Sequence, residues 1–196
     1  RKTITTGVMK LADFNRERMA EPAAPNPFIV GLNAPMDREL TLEALSVQGS
    51  IPPELDGRYL RIGPNPISPP QAASHHWFVG DGMVHGLRIA GGQALWYRNR
   101  WVRSAKVSAA LGEPKVPGPR HFSDTVNTNV VGHAGKTWAL VEAGGYPVEL
   151  GDELQTVAHN NFGGTLRGSF TAHAHKDPAT GELHGICYEA TDPDTI

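Results

Sequence analysis

Apolar residues in this chain fall in short runs of period two, each closed by glycine or proline, a pattern that predicts strands rather than helices. Gly57-Arg58-Tyr59-Leu60-Arg61-Ile62 is the first strong strand, and Gly63-Pro64-Asn65-Pro66 stops it. Met83 to Ile89 and Ala94 to Val102 flank Ala90-Gly91-Gly92-Gln93 and read as a β-hairpin. Asn127 to Val131, Thr137 to Glu142 and Tyr146 to Leu150 are three further strands separated by glycine-bearing turns, and Ser46 to Gly49 is a shorter one. The last hairpin sets Gly168 to His175 against Glu182 to Tyr188 through the turn Asp177-Pro178-Ala179-Thr180-Gly181. There Pro178 fixes φ and Gly181 accepts a positive φ. Phe28 to Leu45 reads as a connection, and Ser104 to His121 as irregular or briefly helical.

Residues 1–27 form a polar arm leading into a single domain over residues 28–196. A short helix fits Met9 to Met19, with Leu11, Phe14 and Arg18 at helical spacing. Pro22, Pro25 and Pro27 cannot continue it, because each removes a donor and biases its predecessor to extended geometry. Disorder is the alternative for the first half of the arm.

The 22 glycines and 16 prolines of the 196 residues strengthen the all-β reading. Short antiparallel strands every eight to twelve residues or so fit a sandwich, barrel or propeller, and periodicity does not choose among them. A net charge of -2 gives no electrostatic reason to expect nucleic acid. The single cysteine, Cys187, cannot form an internal disulfide, so a reducing, cytoplasmic setting and an inert thiol are expected. No apolar run is long enough to span a membrane as a helix, and Arg1-Lys2-Thr3 opens no signal peptide.

Phosphate-binding loops, dinucleotide fingerprints, serine-hydrolase elbows and local zinc motifs are all missing. Nine histidines leave a metal reading open, since imidazole suits iron, copper and zinc. On the strand expected over Gly168 to His175, Phe170, Ala172 and Ala174 share one face, and Thr171, His173 and His175 the other. A strand could hold one of those imidazoles rigidly over a pocket, although spacing alone favours packed or surface histidine. Glu142 closes the apolar run Trp138-Ala139-Leu140-Val141, where a carboxylate could orient a ligating imidazole or simply be solvated. His75, His76 and His85 read as structural, and Asp81, between Gly80 and Gly82, as a tight turn bonding nearby backbone. Trp77, Phe78, Trp96 and Trp101 could line a hydrophobic tunnel, but strand aromatics more often fill the core.

Six stretches, in order, resemble the carotenoid cleavage oxygenases, most closely a bacterial, actinobacterial-like branch. They are Gly57 to Pro66, His76 to Gly86, Trp96 to Arg103, Asn127 to Val130, Ala139 to Gly144 and Phe170 to Pro178. The resemblance spans residues 28 to 190 and leaves out the arm. It implies part of a seven-bladed β-propeller, with Fe(II) held on the axis by four histidines from different blades. Three of those histidines are oriented by glutamates. Such enzymes use O2 as co-substrate to split a carbon–carbon double bond of an apolar polyene into two carbonyl products. A hydrophobic tunnel admits the substrate, and an apolar patch at its mouth touches membrane. Carried onto this chain, the resemblance makes His173 the first iron ligand, Glu142 an orienting glutamate for a later histidine, and Val141 a wall of the iron pocket. His175 stays structural. Ala174 departs from the proline usual after that ligand.

No further ligand strand follows His173, and the run Asp192 to Ile196 is no natural closing element. The expectation is therefore the N-terminal blades of a longer oxygenase, completed by the remainder of the same propeller and inactive without the remaining ligands. Stilbene cleavage on the same scaffold is the enzymatic alternative. A non-catalytic module holding an apolar ligand is the other.

Overall fold

The computed structural model describes residues 2–16 and 18–189. Eight of its strands form two four-stranded antiparallel sheets. The first holds β1 (Leu40–Glu43), β2 (Gly57–Pro64), β3 (Gly82–Ala90) and β4 (Gln93–Trp101) in the order β1-β4-β3-β2. The second holds β5 (Asn129–His133), β6 (Lys136–Leu140), β7 (Val148–Leu150) and β8 (Thr156–His159) in chain order. A hairpin of β9 (His175–Lys176) and β10 (Leu183–His184) follows. Helix α1 (Lys2–Arg16) precedes the sheets, and α2 (Ala105–Ala110) lies between them in sequence. Among the described residues no helix is long and apolar enough to cross a membrane.

The alternation of β2 explains how the sheets meet. Leu60 and Ile62 turn inward while Tyr59 and Arg61 stay exposed. Leu60 and Ile62 pack on the main core of Val84, Val102, Val126, Ala139, Val148, Leu150 and Leu154. Strands β2 and β5 come together across this core. Arg58 spans the same junction, donating to the Gly151 carbonyl at 3.2 Å, the Asp152 carbonyl at 3.0 Å and the Thr137 hydroxyl at 2.9 Å. The segment leading into β5 approaches β3 so closely that a Cβ on Gly82 would lie 1.8 Å from the Val126 carbonyl oxygen. A second cluster of Met83, Trp101 and Val107 seats α2. Its first turn is capped by Ser104, whose hydroxyl accepts from the Val107 N–H. A third, of Trp138, Leu140 and Ala172 with Val131 and Phe170, fastens residues 170–172 to the second sheet.

Several sequence expectations need correction. Ser46 to Gly49 is not a strand; the outer strand is β1, inside the segment read as a connection. It gains its ladder from β4, with Leu40 opposite Asn99, and the Asn99 side chain accepts from the Leu40 N–H. Strand β8 was not anticipated. Helix α1 starts seven residues before Met9 and ends at Arg16. Asp81 does not bond its immediate neighbours: its buried carboxylate accepts from the Ile67 N–H at 3.0 Å and from Lys106 at 2.8 Å. The run Asp192 to Ile196 lies outside the described residues.

The largest departure is at Gly168 to His175, where only His175 is in a strand. Side chains take the backbone groups that a ladder would have used. The Ala172 N–H donates to Glu142 and its carbonyl accepts from Asn129, while the Ser169 N–H donates to Glu189. The turn that follows is as expected. Asp177 accepts from the Ala179 N–H at 2.7 Å, and Gly181 takes a φ of 77°.

Candidate functional site

Strand β6 ends at Leu140, and Val141 and Glu142 continue from its tip. Glu142 Oε2 accepts the Ala172 N–H at 2.9 Å and the Thr171 hydroxyl at 3.1 Å. Thr171 Oγ1 in turn accepts the His173 N–H at 3.1 Å. From β5, Asn129 Nδ2 donates to the Ala172 carbonyl at 2.8 Å. Residues 171–173 are thus pinned by two neighbouring strands through hydrogen bonds to side chains.

Burial of Ala172 directs the next side chain outward, and His173 is 73% exposed. Its ring borders a cavity of about 680 Å³. Val141 and Glu142 form one wall and Ile62, Gly63 and Pro64 another, with Trp77, Phe78, Asn127, Thr128 and Tyr188 completing it. His173 Nε2 stands 3.9 Å from Glu142 Oε2, too far for a hydrogen bond, so the ring nitrogen is left available to another partner. Among the described lining residues Glu142 is the one carboxylate, and there is no lysine or arginine. The remaining walls are mainly aromatic, aliphatic or backbone.

The structure therefore brings His173, Glu142 and Val141 into one cavity. His175 lies apart on β9, opposite His184. Trp77 and Phe78 line the cavity, but Trp101 is core, with its Nε1 donating to the Asn65 carbonyl at 2.9 Å. Trp96 packs on the main core. The His85 Nδ1 lies 2.7 Å from the Tyr97 hydroxyl, and burial pushes that imidazole below the ordinary histidine range. The His76 ring packs between Phe28 and Phe78 at 5.0 and 5.3 Å. Burial raises the Cys187 thiol, which disfavours a reactive thiolate. Residue-by-residue reading did not single out Thr171, Asn129 or Tyr188 for this site. A threonine two residues before a histidine carries no signal until topology brings Glu142 beside it.

Among the described residues, no group of three or more histidine, cysteine, aspartate and glutamate side chains could hold a metal ion. One free imidazole fits one corner of a coordination sphere and leaves the other donors to be supplied elsewhere.

Two adjoining four-stranded antiparallel sheets with a cavity at the strand ends make an all-β scaffold around a pocket. The family described as retinal pigment epithelial membrane protein matches residues 33–196. A carotenoid cleavage oxygenase of Mycobacterium tuberculosis is 53% identical over 167 residues, covering 83% of this chain and 33% of the relative. A resveratrol cleavage oxygenase of Aspergillus fumigatus is 36% identical over 180 residues, covering 84% and 35%. The crystal structure of a Pseudomonas brassicacearum lignostilbene dioxygenase is similar at a TM-score of 0.69 and 29% identity, over 84% of this chain and 36% of that one. A Synechocystis apocarotenoid oxygenase variant matches at a TM-score of 0.60 and 25% identity, over 74% and 34%. The chain belongs to the carotenoid cleavage oxygenase family, and its sheets are blades of a seven-bladed propeller. It spans about a third of the length of the curated relatives it matches.

Proposed function

We propose that this chain contributes one ligand, His173, and part of the substrate channel to a non-haem Fe(II) oxygenase. The whole enzyme uses O2 to split a carbon–carbon double bond of a carotenoid or apocarotenoid. The observation that carries the reading is the convergence of His173 with Val141 and Glu142 on one largely apolar cavity. Bound iron would supply the O2 chemistry that side chains lack. The chain's own residues have two tasks. Glu142 and Thr171 hold the backbone around His173, and Ile62, Val141, Trp77 and Phe78 offer an apolar chain a water-excluding path. The remaining ligands come from the rest of the propeller, and the exposed Trp77-Phe78-Val79 tip is where the mouth of the path would touch a membrane.

A stilbene substrate is the second reading, favoured by the similarity to the Pseudomonas lignostilbene dioxygenase. Among the described residues the lining offers no lysine or arginine to a phenolate, which supports the polyene. Iron content and O2-dependent product formation, with a carotenoid and a hydroxystilbene offered in parallel to the whole enzyme, test both. His173→Ala should remove iron and turnover together. Full activity in that variant would refute the assignment, and absence of iron from the unaltered enzyme would favour a non-catalytic binding module.

A further inference from the structure

The hairpin of β9 and β10 carries a pair of histidines that the cavity does not use. Its register sets His175 directly opposite His184. Residues directly opposite on antiparallel strands share a face, with Cβ atoms about 4.5–5.5 Å apart. Lys176 and Leu183 pair beside them and fall on the other face. Both imidazoles are exposed, His184 with 63% of its side chain open to solvent. By contrast His76, His85 and His121 rest on aromatic rings and His159 is buried, as structural histidines are. A carboxylate stands behind one of the pair. Glu182 Oε2 lies 3.3 Å from His184 Nε2, and the Thr180 hydroxyl donates to the same oxygen at 3.3 Å. Metal-binding imidazoles are commonly oriented in this way, one ring nitrogen facing a carboxylate and the other left for the cation. The nitrogen left on His184 is Nδ1. The turn below is firmly tied. The Asp177 N–H donates to the Glu182 carbonyl at 2.8 Å, the Gly181 N–H to the Asp177 carbonyl at 2.8 Å, and the Asp177 carboxylate accepts from the Ala179 N–H at 2.7 Å. The ladder beyond the turn is only two residue pairs long, and so short a ladder gains most from a cross-strand tie.

We infer that His175 and His184 form a two-histidine chelate for a divalent late transition cation of the zinc class, with Glu182 orienting His184 and water completing the coordination. Two nitrogens on one tetrahedral zinc ion stand roughly 3.3 Å apart, a gap that opposed imidazoles close by side-chain rotation. Imidazole donors suit zinc, nickel or copper, whereas magnesium and calcium take oxygen. The chelate is separate from the iron site and does not rest on it. Because β9 starts two residues after His173, an occupied chelate also ties down the strand into which that segment runs.

Calorimetric titration of the polypeptide with Zn2+ in chelator-free buffer tests it. One ion per chain is expected. His175→Ala and His184→Ala should each weaken binding by about tenfold or more, since each removes one of the two donors. Glu182→Gln should weaken it by about tenfold and leave the stoichiometry unchanged. His173→Ala should leave zinc binding as it is. Cu2+ gives a second readout that reports ligands instead of stability. Its electron paramagnetic resonance spectrum should show coupling to two imidazole nitrogens in the unaltered chain and to one in either alanine variant. Absence of zinc binding would overturn the inference. So would binding unaltered in both alanine variants, which would assign the ion to other histidines such as His75 and His76. Loss of zinc in His173→Ala would overturn it too, by placing the ion at the cavity. The iron content of the whole enzyme enters none of these outcomes, so this inference and the oxygenase reading fail separately.

Discussion

Removing the Glu142 carboxylate should loosen the segment that carries His173 without unfolding either sheet. Glu142→Ala deletes the acceptor of the Ala172 N–H at 2.9 Å and of the Thr171 hydroxyl at 3.1 Å. Ala172 is 0% exposed and Thr171 3%, so water cannot replace that acceptor without the segment opening. Hydrogen bonds to a charged group contribute about 1.5–3 kcal/mol, and orphaning a buried donor costs about 1–3 kcal/mol. Glu142 is 28% exposed, which puts the local effect near the lower end, at about 2 kcal/mol. That is about thirtyfold in the opening equilibrium of residues 171–173. Glu142→Gln keeps one acceptor oxygen and should cost about half as much. Native-state hydrogen exchange reads this directly: the Ala172 and His173 amides should lose protection while those of Val84 and Ala139 in the sheets keep theirs. Unchanged exchange at Ala172 would refute the anchoring role, and an equal loss at Val84 would show that Glu142 supports the whole fold.

Three other expectations concern the frame around the site. Gly82→Ala places a Cβ 1.8 Å from the Val126 carbonyl oxygen, so the segment leading into β5 must move off β3, and denaturant titration should show a loss of about 3 kcal/mol or more. Asp81→Ala should cost several times more than Lys106→Ala, about 3 against under 1 kcal/mol, because Asp81 is 2% exposed and its partner's side chain 62%; equal losses would contradict this. Stability should also fall in mild acid. His159 is 2% exposed, its Nε2 meets the Arg103 carbonyl at 3.0 Å, and its buried Nδ1 has no partner among the described residues. Burial pushes His159 and His85 below the ordinary histidine value, so the unfolded chain takes up protons first as the pH drops. Their contribution is complete above about pH 6.5 and is lost as the pH falls through the folded-state values, by at most about 1.4 kcal/mol per pH unit for each. His159→Asn should flatten the urea midpoint against pH, and an unchanged slope would exclude His159 as its source.

Strands β2 to β6 were legible because alternation and the glycine-bearing turns agreed with each other. Strand β1 was not, since Leu40-Thr41-Leu42-Glu43 owes its extension to the β4 edge that it joins. Strand β8 was hidden for a similar reason: Thr156-Val157-Ala158-His159 holds little apolar contrast, and its pairing with β7 passes through a register shift. Around the site, period two put Thr171 and His173 on one face and Ala172 on the other. The structure instead buries both Thr171 and Ala172 and exposes His173. The error came from assuming that backbone groups of residues 169–173 bond another strand, when Glu142, Asn129, Thr171 and Glu189 receive them. Periodicity cannot register such capture, because the capturing side chains lie up to 43 residues away. His173 was singled out by family likeness, not by its local pattern.

Where the site residues sit relative to their strands explains how one cavity can draw on several segments. Gly63 and Pro64 are the last residues of β2, Thr128 immediately precedes β5, and Val141 and Glu142 follow β6. His173 comes two residues before β9. All of them border the same cavity. Strand interiors face the neighbouring blade and are committed to the core, as Leu60, Val84 and Ala139 are. Residues at a strand end, or just beyond it, are released from that commitment while keeping a rigid base. A histidine in mid-strand would have had to choose between the core and the solvent. Set on a short segment pinned from β5 and from the tip of β6, His173 faces the cavity from a fixed backbone.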